Sequence, residues 1–315
     1  GDFFVALQGE RFDAHDFLSQ AAASGAVAVM GQRGVTESGL PGLIVSDTRA
    51  ALGWLASGWR SRFSIPLIAI TGSNGKTTVT QMVAAILRAW MAQTHTADAA
   101  LATLGNFNND IGVPLTLLRL REGLHRCAVV ELGMNHPGEI EQLAALTAPS
   151  VALVNNAQRE HQEFMHTVEA VARENGSALA SLSRTGVAVF PADDAEHTPI
   201  WRELSAGRQV MDFAFEPGVR AAVTGTARWV DATSDQARPH WVIQMHTPAG
   251  SAEVSLSFAW TTDMVTALLQ AESVVSRALP SLPAGTTFTI RRMDPTVFPV
   301  LGLSLTSPDR PLTEL

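Results

Sequence analysis

The residues GSNGKTT, Gly72 to Thr78, set two glycines, one ammonium and two adjacent hydroxyls between an apolar run and a helix-patterned one. A strand, a glycine turn and a helix in that order aim backbone N–H groups and a helix N-terminus at one point, which suits an anion. Lys76 would reach the β- and γ-phosphates of a nucleotide there, and the Thr77 hydroxyl would coordinate Mg²⁺. Ile70 stands where the first glycine of G-x-x-x-x-G-K-[ST] belongs, so the stretch is either a shorter phosphate loop or a left-handed turn capped by threonine. Of the 22 lysines and arginines, Lys76 is the only lysine. Arginine serves wherever a surface positive charge is wanted, but it does not fold into a tight phosphate cradle as a compact point charge.

Glu131 ends an apolar run in VVELGMNHPGE. A carboxylate there can hold a metal that bridges nucleotide phosphates and a second substrate, or it can cap the helix expected after Pro137. His161, in NNAQREHQEF, reads on its own as a structural histidine, and so do His136 and His166.

These residues need elements to position them. The runs 66–71, 127–133, 151–156 and 186–194 are short, apolar and β-rich. Between them 77–91, 136–146 and 167–182 carry helical spacing, with Pro137 placed as a first-turn proline. Buried strands alternating with helices predict an α/β fold, a doubly wound parallel sheet whose ligands gather at the carboxyl ends of the strands. Gly72–Thr78, Glu131, 155–161 and Asp193 with Asp194 all fall at those ends. Residues 1–62 read as a small α/β unit of their own, and 210–259 alternate in the manner of antiparallel strands around a Pro-Ala-Gly turn, an antiparallel edge. The expected division is 1–62, 63–257 and 258–315.

The chain has 315 residues, 46% of them hydrophobic and 17% charged, with a net charge of −8. That balance predicts globular domains and argues against nucleic acid as a partner. No apolar stretch is long enough to span a membrane, and the one cysteine, Cys127, sits in an apolar run. A monomer in the cytoplasm is the expectation.

TGSNGKTT, NFNNDIGVPLTLL (106–118), VVELGMNHPGEI (129–140) and NNAQREHQEF (155–164), in this order and spacing, resemble the Mur ligases of peptidoglycan synthesis. Their short loop T-G-x-N-G-K-T accounts for Ile70. Together with FVALQGERFDAHDF (4–17), these segments are most similar to the branch of the family that adds D-alanyl-D-alanine to UDP-N-acetylmuramoyl-tripeptide through an acyl phosphate. The resemblance implies that Gly72, Ser73, Asn74, Gly75, Lys76, Thr77 and Thr78, with Asn155 and Asn156, hold ATP. Thr77 and Glu131 would hold one Mg²⁺ and His161 a second, with Lys76, Glu131 and His161 catalytic. Asn106, Asn108 and Asn109 would line the muramoyl-peptide channel, and Phe12, Asp13 and His15 would belong to a UDP pocket.

The sequence also departs from the family. Asn175 stands where many members carry a lysine modified to a carbamate, so an amide or water is expected to support the second metal, or that metal to bind weakly. The chain opens inside the family's first domain, and the signature segments of its third domain have no counterpart. Residues 258–315 are instead similar to part of the porter region of a resistance-nodulation-division efflux transporter. The expectation is an incomplete, inactive ligase fragment with an unrelated α/β tail. The alternatives are a nucleotide-binding module without turnover and a folylpolyglutamate synthase-like ligase.

Overall fold

The computed structural model describes residues 1–9, 11–159, 162–230, 240–248, 250–256, 287–291 and 302–306. Contacts divide the chain into two compact units, Gly1–Thr226 with Gln244–Ala252, and Ala227–Ile243 with Glu253–Leu315. None of the helices among the described residues is long and apolar enough to cross a membrane.

The first unit begins with β1 (Asp2–Val5), α1 (Leu18–Ala23), β2 (Ala26–Gly31), β3 (Gly42–Ile44) and α2 (Thr48–Arg60). The three strands form a parallel sheet in the order β1-β2-β3. Ala6, Leu18, Val29 and Val35 make its small core. Asp47 starts α2 by accepting the N–H groups of Arg49 and Ala50, the usual N-cap arrangement.

The chain continues through β4 (Leu67–Thr71), α3 (Lys76–Met91), β5 (Ala100–Ala102), α4 (Gly112–Leu117), β6 (Cys127–Glu131), α5 (Glu139–Thr147), β7 (Val151–Val154), α6 (Gln162–Met165), α7 (Val168–Ala180), β8 (Val187–Val189), α8 (Thr198–Leu204) and β9 (Gln209–Val210). All six strands pair in parallel, in the order β5-β6-β4-β7-β8-β9. The order reverses around β4, which makes its carboxyl end the switch point of a doubly wound sheet. Successive strand residues face opposite sides, and two cores result. Leu67, Ala69 and Val130 pack with residues of α4, α5, α7 and α8, including Leu117, Ile140, Val171 and Trp201. Ile70 and Val129 pack with Ala84, Leu87 and Met91 of α3. Burial of both faces is why the strands read as continuous apolar runs rather than as alternation.

Several boundaries differ from the sequence expectation. Pro137 is not in the first turn of α5, whose cap is Gly138 and whose first residue is Glu139. The N–H groups of Gly138 and Ile140 donate to the Glu174 carboxylate, from α7, which fixes the start by a tertiary contact. The short elements β5, α4, α8 and β9 have no counterpart in the sequence expectation, because two to seven residues carry too little periodicity.

The predicted alternation over 210–259 yields β10 (Phe213–Ala214), β11 (Val223–Val230), β12 (His240–Thr247) and β13 (Gly250–Leu256), neighbours in that order. Against the expectation of antiparallel strands, β10 runs parallel to β11. The connection is folded back by Asp193, which accepts from Phe215 and Glu216, and by Asp212, which accepts from Ala222.

In the second unit, β14 (Thr287–Arg291) and β15 (Gly302–Thr306) pair antiparallel, Thr287 opposite Thr306. The rest of the tail expected over 258–315 lies outside the described residues.

Candidate functional site

The loop from Gly72 to Gly75 leaves the carboxyl end of β4 and enters α3 at Lys76. Gly72 has φ 132 and Gly75 φ 74, conformations that L side chains rarely adopt. A Cβ on Gly72 would also stand 3.0 Å from the Asn156 backbone nitrogen, so glycine is required there by both conformation and space. Lys76 folds back into the loop, its Nζ donating to the carbonyl oxygens of Gly72 at 2.7 Å and Ser73 at 3.1 Å. The ammonium is thereby concentrated where the loop and the first turn of α3 meet.

Glu131 reaches the same place from β6, which pairs directly with β4 so that Glu131 lies opposite Ile70. It is 1% exposed. Its Oε1 accepts from the Thr77 hydroxyl at 3.2 Å and from Asn108 Nδ2 at 2.8 Å. Its Oε2 is buried with no hydrogen-bond partner. A carboxylate stripped of water with one oxygen unmatched fits a hard cation, and a threonine hydroxyl can donate to the carboxylate while offering a lone pair to a metal. Thr77 and Glu131 therefore suit a divalent cation. Among the described residues no cluster of three or more His, Cys, Asp or Glu side chains joins them. His161, expected as a further ligand, lies outside the described residues.

Asn155 and Asn156 follow β7 and do converge on the loop, but by holding its backbone. Asn74 N donates to Asn156 Oδ1, and both asparagine amides donate to the Asn74 carbonyl. Ser73 N donates to the Asn156 carbonyl, and the Ser73 hydroxyl accepts from Gln158 N. Gln158 Oε1 takes Asn74 Nδ2 at 2.6 Å. Gln158 had no signal in the sequence beyond its place after the two asparagines.

Asn106, Asn108 and Asn109 also gather beside Glu131, though in different roles. Asn108 donates to Asn106 Oδ1 and to Glu131. Asn109 Oδ1 accepts from Ile111 and Gly112 and opens α4. Gly133 allows this approach, since a Cβ there would meet the Asn108 amide at 2.9 Å. Asp193 and Asp194, expected at the same end of the sheet, serve local backbone instead. Asp193 takes Phe215 and Glu216 N–H groups, and Asp194 takes His197.

In the first sheet, Asp13 and His15 form a closed pair. His15 Nδ1 lies 2.5 Å from Asp13 Oδ1, and Nε2 accepts from Gln32 N at 2.8 Å, which fixes the tautomer with the proton on Nδ1. The Asp13 carboxyl is held down to about 2, chiefly by the His15 backbone N–H, then by the His15 ring and Arg33. Both His15 nitrogens are thus engaged and the ring is buried, so His15 fastens its own turn to β2. Phe12, by contrast, is 76% exposed.

Residues 70–258 match the family described as the Mur ligase middle domain. The UDP-N-acetylmuramoyl-tripeptide–D-alanyl-D-alanine ligase of Haemophilus influenzae is 44% identical over 213 residues, 67% of this chain and 45% of that protein. A crystal structure of MurF from Acinetobacter baumannii is similar at a TM-score of 0.71 and 34% identity, over 90% of this chain and 58% of that one. MurF from Thermotoga maritima, in complex with ADP, gives 0.68 at 26% identity over 92% of this chain and 65% of that one. The chain spans about half the length of the curated relatives it matches. The family match covers more than half of the chain and contains the whole Gly72–Thr78 loop, Glu131 and the asparagines that brace them: this chain belongs to the Mur ligase family.

Proposed function

We propose that this chain carries the nucleotide site of an ATP-dependent amide ligase that joins D-alanyl-D-alanine to UDP-N-acetylmuramoyl-tripeptide, a step of peptidoglycan precursor synthesis. The observation that carries the reading is the juxtaposition at the end of β4. There the chain's only lysine is folded into a glycine loop, and Thr77 is bonded to a buried carboxylate with an unmatched oxygen. The name borne by the Haemophilus influenzae relative supports the substrates, and the ADP complex of the Thermotoga maritima relative supports the nucleotide.

In this reading the γ-phosphoryl group passes from ATP to the terminal carboxylate of the tripeptide, forming a carboxyl O–P bond as the bond to the β-phosphate oxygen breaks. The dipeptide amine then attacks the acyl carbon. The C–N bond forms, phosphate leaves through a tetrahedral intermediate, and the amine proton passes to solvent. Such transfers need positioning and charge neutralisation more than a covalent nucleophile. Lys76 would exchange the Gly72 and Ser73 carbonyls for phosphate oxygens. A divalent cation held by Thr77 and Glu131 would neutralise the phosphates further, with His161 a candidate for a second. Asn155, Asn156 and Gln158 keep the loop in its binding shape. Asn106, Asn108 and Asn109 present amides beside Glu131, where the muramoyl peptide would approach, and Phe12 is the exposed member of the UDP-pocket candidates.

Two measurements test this. ATP with Mg²⁺ at about 100-fold its Kd should stabilise the protein by ~2.7 kcal/mol, and Lys76→Ala should abolish that stabilisation; an unchanged shift removes the site. Any phosphate release by a ligase of this kind requires both the muramoyl tripeptide and D-alanyl-D-alanine, and none is expected from this chain as an incomplete fragment. Release with that pair would overturn the expectation of an inactive fragment, and release supported by glutamate and a folate would overturn the ligase assignment.

A further inference from the structure

Asn175 lies on α7, is 1% exposed, and meets the carboxyl end of β4. Its Oδ1 accepts two hydrogen bonds, from the Thr71 hydroxyl at 2.6 Å and from Gly72 N at 3.1 Å. Those donors sit at the last residue of β4 and the first residue of the loop. Gly72 is also the residue that turns to φ 132 and whose carbonyl takes Lys76 Nζ. The amide's other end, Nδ2, is buried with no hydrogen-bond partner. A buried donor left unmatched is costly, and a fully packed interior would be better served by an apolar side chain. What the fold uses of this residue is its acceptor end.

We propose that Asn175 is a positioning residue of the phosphate loop. Its carboxamide oxygen pins the Thr71–Gly72 peptide and so fixes the pivot at which the chain leaves β4, which in turn orients the Gly72 carbonyl that holds Lys76. Asn155, Asn156 and Gln158 brace the outer part of the same loop from β7, so the loop is clamped at both ends by amides rather than by charges. Neutral clamps leave the cradle's positive potential undiminished for an anion, which carboxylates at the same positions would not do. The proposal rests on the nucleotide reading of the loop for its consequence in binding, but not for its structural content.

The test separates the two. Hydrogen exchange of peptides covering 68–76 reports the pivot without any nucleotide. Asn175→Ala should speed exchange there at least tenfold while β7 and α5 keep their protection, and Asn175→Asp, which retains an acceptor of the same length, should restore it. In ATP titrations with Mg²⁺, Asn175→Ala should raise Kd about tenfold. Thr71→Val in the same background should add little, because both changes remove one shared hydrogen bond. Unaltered loop exchange in Asn175→Ala, or multiplicative effects of Thr71→Val and Asn175→Ala on Kd, overturn the positioning role. Failure of the unsubstituted protein to bind ATP would overturn the nucleotide reading instead, and the exchange measurement would still decide the role of Asn175.

Discussion

Glu131 joins a carboxylate, almost complete burial and neutral donors, Thr77 and Asn108. A charge held away from water by neutral groups is unfavourable to the fold unless something else is bound to it. Glu131→Gln keeps an acceptor for both donors and removes that charge. We expect its melting temperature without nucleotide to be unchanged or higher. The Mg²⁺ requirement of ATP stabilisation should weaken tenfold or more, the scale of one charge-assisted contact at ~1.5–3 kcal/mol. A Mg²⁺ titration of the ATP-induced shift checks this, and an unaltered Mg²⁺ dependence would falsify the cation role. Asp13 offers the corresponding test by pH. Its carboxyl is lowered from 3.8 to about 2, so its contribution is complete above the ordinary value and is lost as pH falls through the folded one. Asp13→Asn should flatten that acid limb, followed by the fluorescence of Trp54 and Trp59; a profile identical to that of the unsubstituted protein would exclude the clamp. Residue types were legible in the sequence at both places. Their roles were only half legible, because Gln32, the partner that turns His15 inward, is set by the pairing of β1 with β2 rather than by spacing.

Elements whose signals are local emerged as the sequence predicts them. The apolar run of β4, the two turn glycines and the start of α3 at Lys76 all lie within a few residues of one another. Elements fixed from afar did not. The sequence puts the start of α5 two or three residues early because Pro137 is a reasonable first-turn residue by itself, whereas the deciding group is Glu174, 36 residues from Gly138. Its two carboxylate oxygens take the N–H groups of Gly138 and Ile140, satisfying donors that the helix leaves unmatched and opposing the positive end of its dipole. Glu174→Ala should therefore destabilise the first unit by about 1–2 kcal/mol, as loss of a helix cap does. Glu174→Gln, with one acceptor left, should cost less. Urea midpoints for the two variants measure this, and equal midpoints for Glu174→Ala and the unsubstituted protein would show that α5 is stable without its cap.

At the scale of the whole chain, residues 1–62 and the strands and helices that follow them to Thr226 lie in one compact unit. The division expected near residue 62 falls within that unit and is a matter for measurement. The physical join is Arg60, the last residue of α2. Its buried guanidinium donates to the carbonyls of Phe63, Ile65, Thr147 and Ala148, the last two at the carboxyl end of α5. Five donors in a rigid fork and the negative end of a helix dipole make a neutral-partnered arginine tolerable there, although burial lowers its pKa. Arg60→Met would fill the space but leave those carbonyls without donors, at about 1–3 kcal/mol for each one that water does not reach. Because the bonds tie α2 to the strand and helix beyond it, the loss should be felt on both sides of residue 62. Hydrogen exchange in increasing guanidinium, read on peptides from 48–60 and from 139–154, should give one shared midpoint in the unsubstituted protein. In Arg60→Met both should fall together to a lower midpoint. Two separate midpoints in the unsubstituted protein would establish residues 1–62 as an independent first domain, and a fall confined to 48–60 would reduce Arg60 to a local cap.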